Sequence, residues 1–240
     1  MELTILAAGK SSRFKKKGIS HKCLTEINGL TLINKIIKDF RSFKISNVKI
    51  VVGYKKKKLE KTLNDKKLKF IYNRFYASRD MLHSFYLALL NQTDDMVLSY
   101  SDIYYSKRIV KKITSLSKGN KVILPVSMNW EKIWKIRKKK IYDDCETLVF
   151  DKKLNLLEIG NRPKNKKKIM AQYMGIIYVP FKLRNNLISE IKKEKDNKLH
   201  ITNFLNKFIK KFNNIKIIKV NDIWYEFDDL NDYEYFIKRN

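Results

Sequence analysis

Apolar and polar positions divide the 240-residue chain into two halves of different rhythm. Leu3 to Ala8 is a short, continuous apolar run, which suits a strand buried on both faces. Thr31 to Phe43 has Leu32, Ile33, Ile36, Ile37 and Phe40 at helical spacing, with Thr31 placed to cap it. Val48 to Val52 predicts a second strand, Leu59 and Leu63 a lysine-rich helix, and Leu68 to Tyr72 a third strand. Met81 to Leu90 predicts a helix with Met81, Leu82, Phe85, Leu89 and Leu90 facing inward. Met96 to Tyr100, a helix on Ile109, Ile113 and Leu116, and Val122 to Val126 complete the alternation.

Short buried strands joined by amphipathic helices pair in parallel through crossovers. The expected fold class is therefore α/β: a doubly wound, mostly parallel, Rossmann-like sheet with helices on both faces. Ligands of such sheets bind beyond the carboxyl ends of the strands.

The second half reads as Lys132 to Arg137, Thr147 to Phe150, Leu154 to Ile159 and Met170 to Val179 as strands with few helices between them. These predict a smaller antiparallel extension on the acceptor side. Helices near Lys182 to Lys193 and Ile201 to Phe212 follow, then strands Ile215 to Val220 and Trp224 to Phe227, then a helix over Asp229 to Lys238. No Pro- or Gly-rich linker interrupts the chain. The expectation is one domain over 1–240, with a nucleotide-binding half (1–126) and an acceptor-binding half with a C-terminal closure (127–240).

Charge adds a question rather than an answer. The formal net charge is +29, from 53 Lys and Arg against 24 Asp and Glu. One reading is a polyanion partner, and the other is a compositional bias spread over the surface. The lysines are scattered, as in Lys55 to Lys58, Lys138 to Lys140 and Lys164 to Lys168, without zinc-finger spacing or an RNA-binding aromatic motif. No specific nucleic acid is therefore expected. Cys23 and Cys145 form neither a disulfide framework nor a metal cluster. The first strand starts almost at Met1 and no apolar run reaches membrane-span length, so the chain reads as cytoplasmic, without a membrane partner.

Chemistry concentrates first in Leu6 to Phe14, LAAGKSSRF. Ala7, Ala8 and Gly9 leave main-chain N–H groups open to a base or a phosphate, Ser11 and Ser12 add donors, and Arg13 adds a planar fork. Lys22 contributes a point charge a short loop later. The same stretch also fits a solvated turn at a strand end. Asp102 and Asp228 each follow an expected strand, where a carboxylate reaches a site, but each also fits a cap for the helix after it. Trp130, Trp134, Tyr173, Trp224 and Tyr225 offer aromatic faces to an ammonium, with Glu131, Asp143, Asp144 and Glu226 as countercharges; the alternative is that these aromatics are core.

LAAGKSSRF followed by HKCLTEINGLTLINKII resembles the signature of nucleotidyltransferases that make activated sugars and amino alcohols. Leu6-Ala7-Ala8-Gly9, Arg13, Lys22, Leu24 and Gly29 occur in the family's order, with Lys10 and Ser11 departing where a second glycine is common. VVGY at Val51 to Tyr54, IYNRFYASRDMLHSFYLAL at Ile71 to Leu89, SYSDIYY at Ser99 to Tyr105, AQYMGIIYV at Ala171 to Val179 and DIWYEFDDLNDYEYF at Asp222 to Phe236 continue the likeness. The nearest branch is the phosphocholine and 2-aminoethylphosphonate cytidylyltransferases.

This resemblance implies transfer of CMP from CTP to a small phosphorylated or phosphonate amino alcohol, releasing pyrophosphate. A sugar 1-phosphate is the alternative acceptor, and a non-catalytic basic nucleic-acid-binding protein is the alternative of another class. The resemblance also implies Mg²⁺ on Asp102 and Asp228, with Arg13 and Lys22 neutralising the triphosphate. Nucleotide contacts are expected from Leu6, Ala7, Ala8, Gly9, Ser11, Ser12, Gly53, Asn73 and Ser84.

Overall fold

The structure is a computed structural model that describes residues 1–12, 14, 21–116, 119–136 and 145–239. In chain order its elements are β1 (Glu2–Ala7), β2 (Glu26–Ile27), β3 (Leu30–Thr31), α1 (Leu32–Arg41), β4 (Val48–Val52), α2 (Lys56–Leu63), β5 (Leu68–Tyr72), α3 (Met81–Leu90), β6 (Met96–Tyr100), β7 (Ile103–Tyr105) and α4 (Lys107–Thr114). Then come β8 (Val122–Ser127), α5 (Trp130–Ile136), β9 (Leu148–Phe150), β10 (Leu156–Ile159), β11 (Gln172–Tyr173), β12 (Ile176–Val179), α6 (Arg184–Lys193), α7 (Ile201–Phe212), β13 (Ile215–Val220), β14 (Trp224–Glu226) and α8 (Leu230–Ile237).

An eight-stranded sheet runs β11–β8–β12–β6–β1–β4–β5, with β13 alongside β8. β1 is buried along its whole length and pairs in parallel with both β4 and β6. The chain first builds outward on one side of β1, through β4 and β5, and then returns to the other side at β6. That reversal is the switch point at which open α/β sheets take ligands. Leu6 lies opposite Tyr100, so the turns after β1 and β6 leave the same sheet edge side by side.

The two faces carry separate cores. Leu3 and Ile5 face a cluster with Ile33, Phe40, Leu59, Ile109 and Trp134, supplied by α1, α2, α4 and α5. Leu6 and Ala8 face the other, with Phe85, Leu187, Phe204 and Phe208 from α3, α6 and α7. Thr31 caps α1 as expected, its Oγ1 accepting from the Asn34 N–H at 3.3 Å.

Three expected elements differ in detail. Lys132 to Arg137 is not a strand: Trp130–Ile136 is helical, and Arg137 lies outside the described residues. Trp130 and Trp134 stand four apart, on one helical face, and Trp134 stacks on Trp224 with ring centres 6.0 Å apart. Met170 to Val179 breaks into β11 and β12 at Gly175. Gly175 has φ +72°, and a Cβ there would stand 2.9 Å from the Tyr100 ring, so backbone and ring touch only because the side chain is missing. Along α3, Met81 and Leu90 turn outward, while Ser84 and Ala88 take buried positions with Leu82, Phe85 and Leu89.

The antiparallel extension is smaller than the strand count suggested. β9 and β10 form a separate antiparallel pair, but β11 and β12 join the main sheet antiparallel, and β13 joins it parallel to β8.

Candidate active site

Beyond the carboxyl ends of β1 and β6 lies a cleft of about 540 Å³. Leu6, Ala7, Gly9, Ser11, Ser12, Lys22, Asp102 and Asp228 all line it, so most of the expected residues come together. Arg13, Asp143 and Asp144 lie outside the described residues.

The β1 turn is held by its own neighbours. Ser11 adopts φ +53°, and its backbone carbonyl accepts from Phe14 N–H at 3.0 Å. Its Oγ accepts from the Lys22 N–H at 3.1 Å, which pins the returning loop beside the turn it left. His21 Nε2 donates to the Tyr54 carbonyl at 2.7 Å, and Tyr54 N–H donates to the Ala8 carbonyl at 3.0 Å. Ala8 is thus buried and engaged behind the cleft rather than lining it.

Gly53 also serves the packing of loops. A Cβ there would meet Tyr76 Cβ at 2.6 Å and the Ala8 carbonyl at 2.7 Å. Asn73 and Ser84 are buried and bonded to each other, Asn73 Nδ2 to Ser84 Oγ at 3.0 Å, while Asn73 Oδ1 accepts from Phe75 N–H at 3.0 Å. Gly53, Asn73 and Ser84 are absent from the cleft lining, where nucleotide contact was expected of them. Their side positions are spent on holding the β4 and β5 turns.

Two local choices free the aspartates from their alternative roles. Asp102 does not cap a helix, because β7 intervenes and Ser106 stands before α4. α8 is capped by Asp229, in a reciprocal box with Asp232, one residue beyond Asp228. The antiparallel pairing of β7 with β14 then brings the two together. Phe227 N–H donates to the Asp102 carbonyl at 3.0 Å, so Asp228 emerges next to Asp102 although 126 positions separate them in the sequence.

Lys22 sits at their meeting point. Its Nζ is 2.9 Å from Asp102 Oδ2 and 3.9 Å from Asp228 Oδ1, with the lysine side chain 12% exposed. Burial alone would lower the Lys22 pKa, but Asp102, then Asp228 and Glu226, outweigh it and hold it above the usual lysine value. Burial, aided by the Asp102 charge, pushes the neighbouring Cys23 thiol up to about 12, so it stays protonated at neutral pH. No group of three or more metal-type ligands occurs among the described residues. The donor set still suits magnesium, which takes one or two carboxylates and completes its shell with phosphate oxygens and water.

A second part of the cleft lining is assembled from scattered segments. Tyr100, Glu146, Gln172, Tyr173, Thr202 and Glu226 line it. Tyr100 and Tyr173 meet edge to face with ring centres 5.8 Å apart. Glu146 Oε1 accepts from Thr202 Oγ1 at 3.1 Å, and the Glu146 carbonyl accepts from Gln172 Nε2 at 3.0 Å. Of the aromatics considered for an ammonium, Tyr173 and Trp134 reach the cleft. Trp130, Trp224 and Tyr225 are core, and Trp224 Nε1 donates to the Met174 carbonyl at 3.0 Å. Glu131 instead pairs with Lys166 at 2.9 Å and does not line the cleft.

His21, Tyr100, Glu146, Gln172 and Thr202 are among the lining residues that sequence reasoning did not single out. Tyr100 ended an expected strand and His21 preceded the lysine, so both positions carried a usable signal. Glu146, Gln172 and Thr202 stand in no recognisable spacing.

Comparison with known proteins agrees with this fold. The MobA-like NTP transferase domain matches residues 3–163. A CTP:phosphoglutamine cytidylyltransferase of Campylobacter jejuni is 27% identical over the full length of both chains. A choline-phosphate cytidylyltransferase of Haemophilus influenzae is 33% identical over 51% of this chain and 53% of its own. Among solved structures, the CTP:phosphocholine cytidylyltransferase of Streptococcus pneumoniae superposes with a TM-score of 0.77 at 18% identity, covering 99% of this chain and 97% of that one. The inositol-1-phosphate CTP transferase of T. maritima gives 0.78 at 18% identity, covering 98% and 94%.

Proposed function

The chain belongs to the MobA-like NTP transferase family and is a nucleotidyltransferase, and from that premise we propose that it transfers CMP from CTP to a small phosphorylated or phosphonate acceptor bearing an ammonium. The observation that carries the reading is the convergence of Lys22, Asp102 and Asp228 beside the Ala7–Ser12 turn. CTP as donor rests on the likeness to relatives named for CTP chemistry.

In the proposed reaction an acceptor phosphate or phosphonate oxygen attacks the α-phosphorus of CTP. A new P–O bond forms, the bond from the α-phosphorus to the bridging oxygen breaks, and pyrophosphate leaves with that electron pair. The nucleophile is already anionic, so no side chain has to remove a proton. The residues align the two phosphates and neutralise their charge. Gly9, Ser11 and Ser12 offer N–H and hydroxyl donors to the triphosphate, and Lys22 offers its ammonium. A magnesium ion held by Asp102 and Asp228 would supply Lewis-acid neutralisation of the reacting phosphates.

The acceptor's cationic end fits the wall that carries Glu146 and Glu226. Glu146 and Glu226 bring negative charge beside the Tyr100 and Tyr173 rings, the combination that favours an ammonium. Phosphocholine and 2-aminoethylphosphonate share that chemistry, as does any phosphorylated amino compound of similar size. The test is pyrophosphate release with each of the four nucleoside triphosphates against phosphocholine, aminoethylphosphonate, phosphoethanolamine, phosphoglutamine and sugar phosphates. Release with CTP and an ammonium-bearing acceptor is expected. Release with sugar phosphates alone would overturn the acceptor, and release with another nucleotide alone would overturn the donor.

A further inference from the structure

Lys22 invites a question that triphosphate binding does not answer. Its ammonium stands 2.9 Å from Asp102 Oδ2 and 3.9 Å from Asp228 Oδ1, the carboxylates expected to hold the metal. Among the described residues its hydrogen bond is to Asp102 alone. All three side chains are sheltered, at 12%, 24% and 14% exposure, so the contact is shielded far better than a surface ion pair.

We infer that Lys22 is a built-in placeholder for the divalent cation: its ammonium holds Asp102 and Asp228 together before metal binds, and metal must displace it. The inference rests on the reading of Asp102 and Asp228 as the metal-holding pair. Its physical basis is local charge. Two carboxylates this close repel one another unless a cation stands between them. A divalent ion and an ammonium cannot both sit against the same oxygens in a sheltered site without strong repulsion.

The position of Lys22 makes the exchange directional. Its backbone N–H is tied to Ser11 Oγ, so the chain at Lys22 is anchored to the β1 turn while the side chain reaches across to the aspartates. A displaced ammonium therefore stays beside Ser11 and Ser12, where a triphosphate is expected. The enzyme would neither collapse its acidic pair when empty nor bind the bare cation tightly, and metal entry would release a cation toward the incoming nucleotide.

Binding of Mn²⁺ alone, without nucleotide, tests the inference, read as free Mn²⁺ by electron paramagnetic resonance. Lys22→Met should bind at least about tenfold tighter than the unsubstituted protein, because the competing charge is gone. Its melting temperature should also rise more with Mn²⁺. Lys22→Gln is the second neutral variant, in case the methionine form does not fold. Asp102→Asn should lose binding in the unsubstituted and Lys22→Met backgrounds alike. Neutral variants that bind Mn²⁺ no tighter, while Asp102→Asn abolishes binding, would overturn the placeholder and leave the metal-holding pair intact. Binding unaffected by Asp102→Asn, or no binding by any form, would overturn both.

Discussion

Two lysines pair with carboxylates on the same sheet, one at each end. At the amino-terminal edge, Lys49 Nζ bonds both Glu2 oxygens at 2.9 and 2.8 Å, the Asn91 carbonyl at 2.5 Å and Thr93 Oγ1 at 3.3 Å. Glu2 is fully buried, and its other bonds go to Thr93 and Asn47. That pair is closed: both side chains are buried and neither lines the cleft. At the carboxyl edge, Lys22 faces Asp102, Asp228 and Glu226 in a cleft with room for a ligand. The ion-pair chemistry is the same. Enclosure makes one pair structural, and a place on the cleft wall makes the other a site.

The largest effect should come from breaking the closed pair alone. Lys49→Met leaves Glu2 buried without its cation and should cost about 3–5 kcal/mol of stability, read by urea unfolding, with turnover per folded molecule unchanged. Pairing it with Glu2→Leu should recover most of that loss. Asp102→Asn should do the reverse. Turnover should fall about 10²–10³-fold, as for loss of one preorganised charge contact, while stability changes by less than about 2 kcal/mol, because Asp228 and Glu226 still offset the Lys22 charge. A stability loss from Asp102→Asn as large as that from Lys49→Met would erase the distinction.

Further from the reacting phosphates the effects shrink. Glu146→Gln keeps the bond to Thr202 but removes a charge from the cleft wall. It should raise KM for an ammonium-bearing acceptor about tenfold and leave KM for CTP unchanged, a loss near 1.4 kcal/mol. The smallest effect is a slope. Burial lowers the His21 pKa below its ordinary 6.5, against the contrary pull of the Tyr54 carbonyl and with help from Lys55 and Lys58. The neutral imidazole is thus the native form. Its contribution is complete above 6.5 and is lost as pH falls through the lowered folded value. His21→Gln should flatten the fall in melting temperature between about pH 7 and pH 5. An unchanged slope would mean that the acid sensitivity lies elsewhere.

The contrast between the two edges also explains what the sequence could disclose. The β1 turn and Lys22 are local features, readable as small residues after a buried apolar run and a cation a short loop later. Asp102 and Asp228 were legible as strand-end carboxylates, but their meeting depends on the β7–β14 pairing, and Asp228 escapes capping duty only because Asp229 takes it. The wall around Glu146 was nearly silent. Glu146, Gln172 and Thr202 come from a segment before β9, from β11 and from the first turn of α7, and tertiary packing alone unites them. Asn73 and Ser84 show a pairing the sequence does not disclose: polar residues in a family-like segment bond each other. The core alternative for Trp130 and Trp224 holds, while the alternation over Lys132 to Arg137 suggests a strand where Trp130–Ile136 is helical.

Cytidylyl transfer at this cleft is tested most directly by the mass of its product. Purified protein, CTP, magnesium and an ammonium-bearing phosphate or phosphonate should yield a cytidine compound joined to the acceptor through a new P–O–P bond, with one pyrophosphate per product. Asp102→Asn should yield almost none. CTP hydrolysed to CMP without a joined product, or joined product made by Asp102→Asn at the unsubstituted rate, would contradict it.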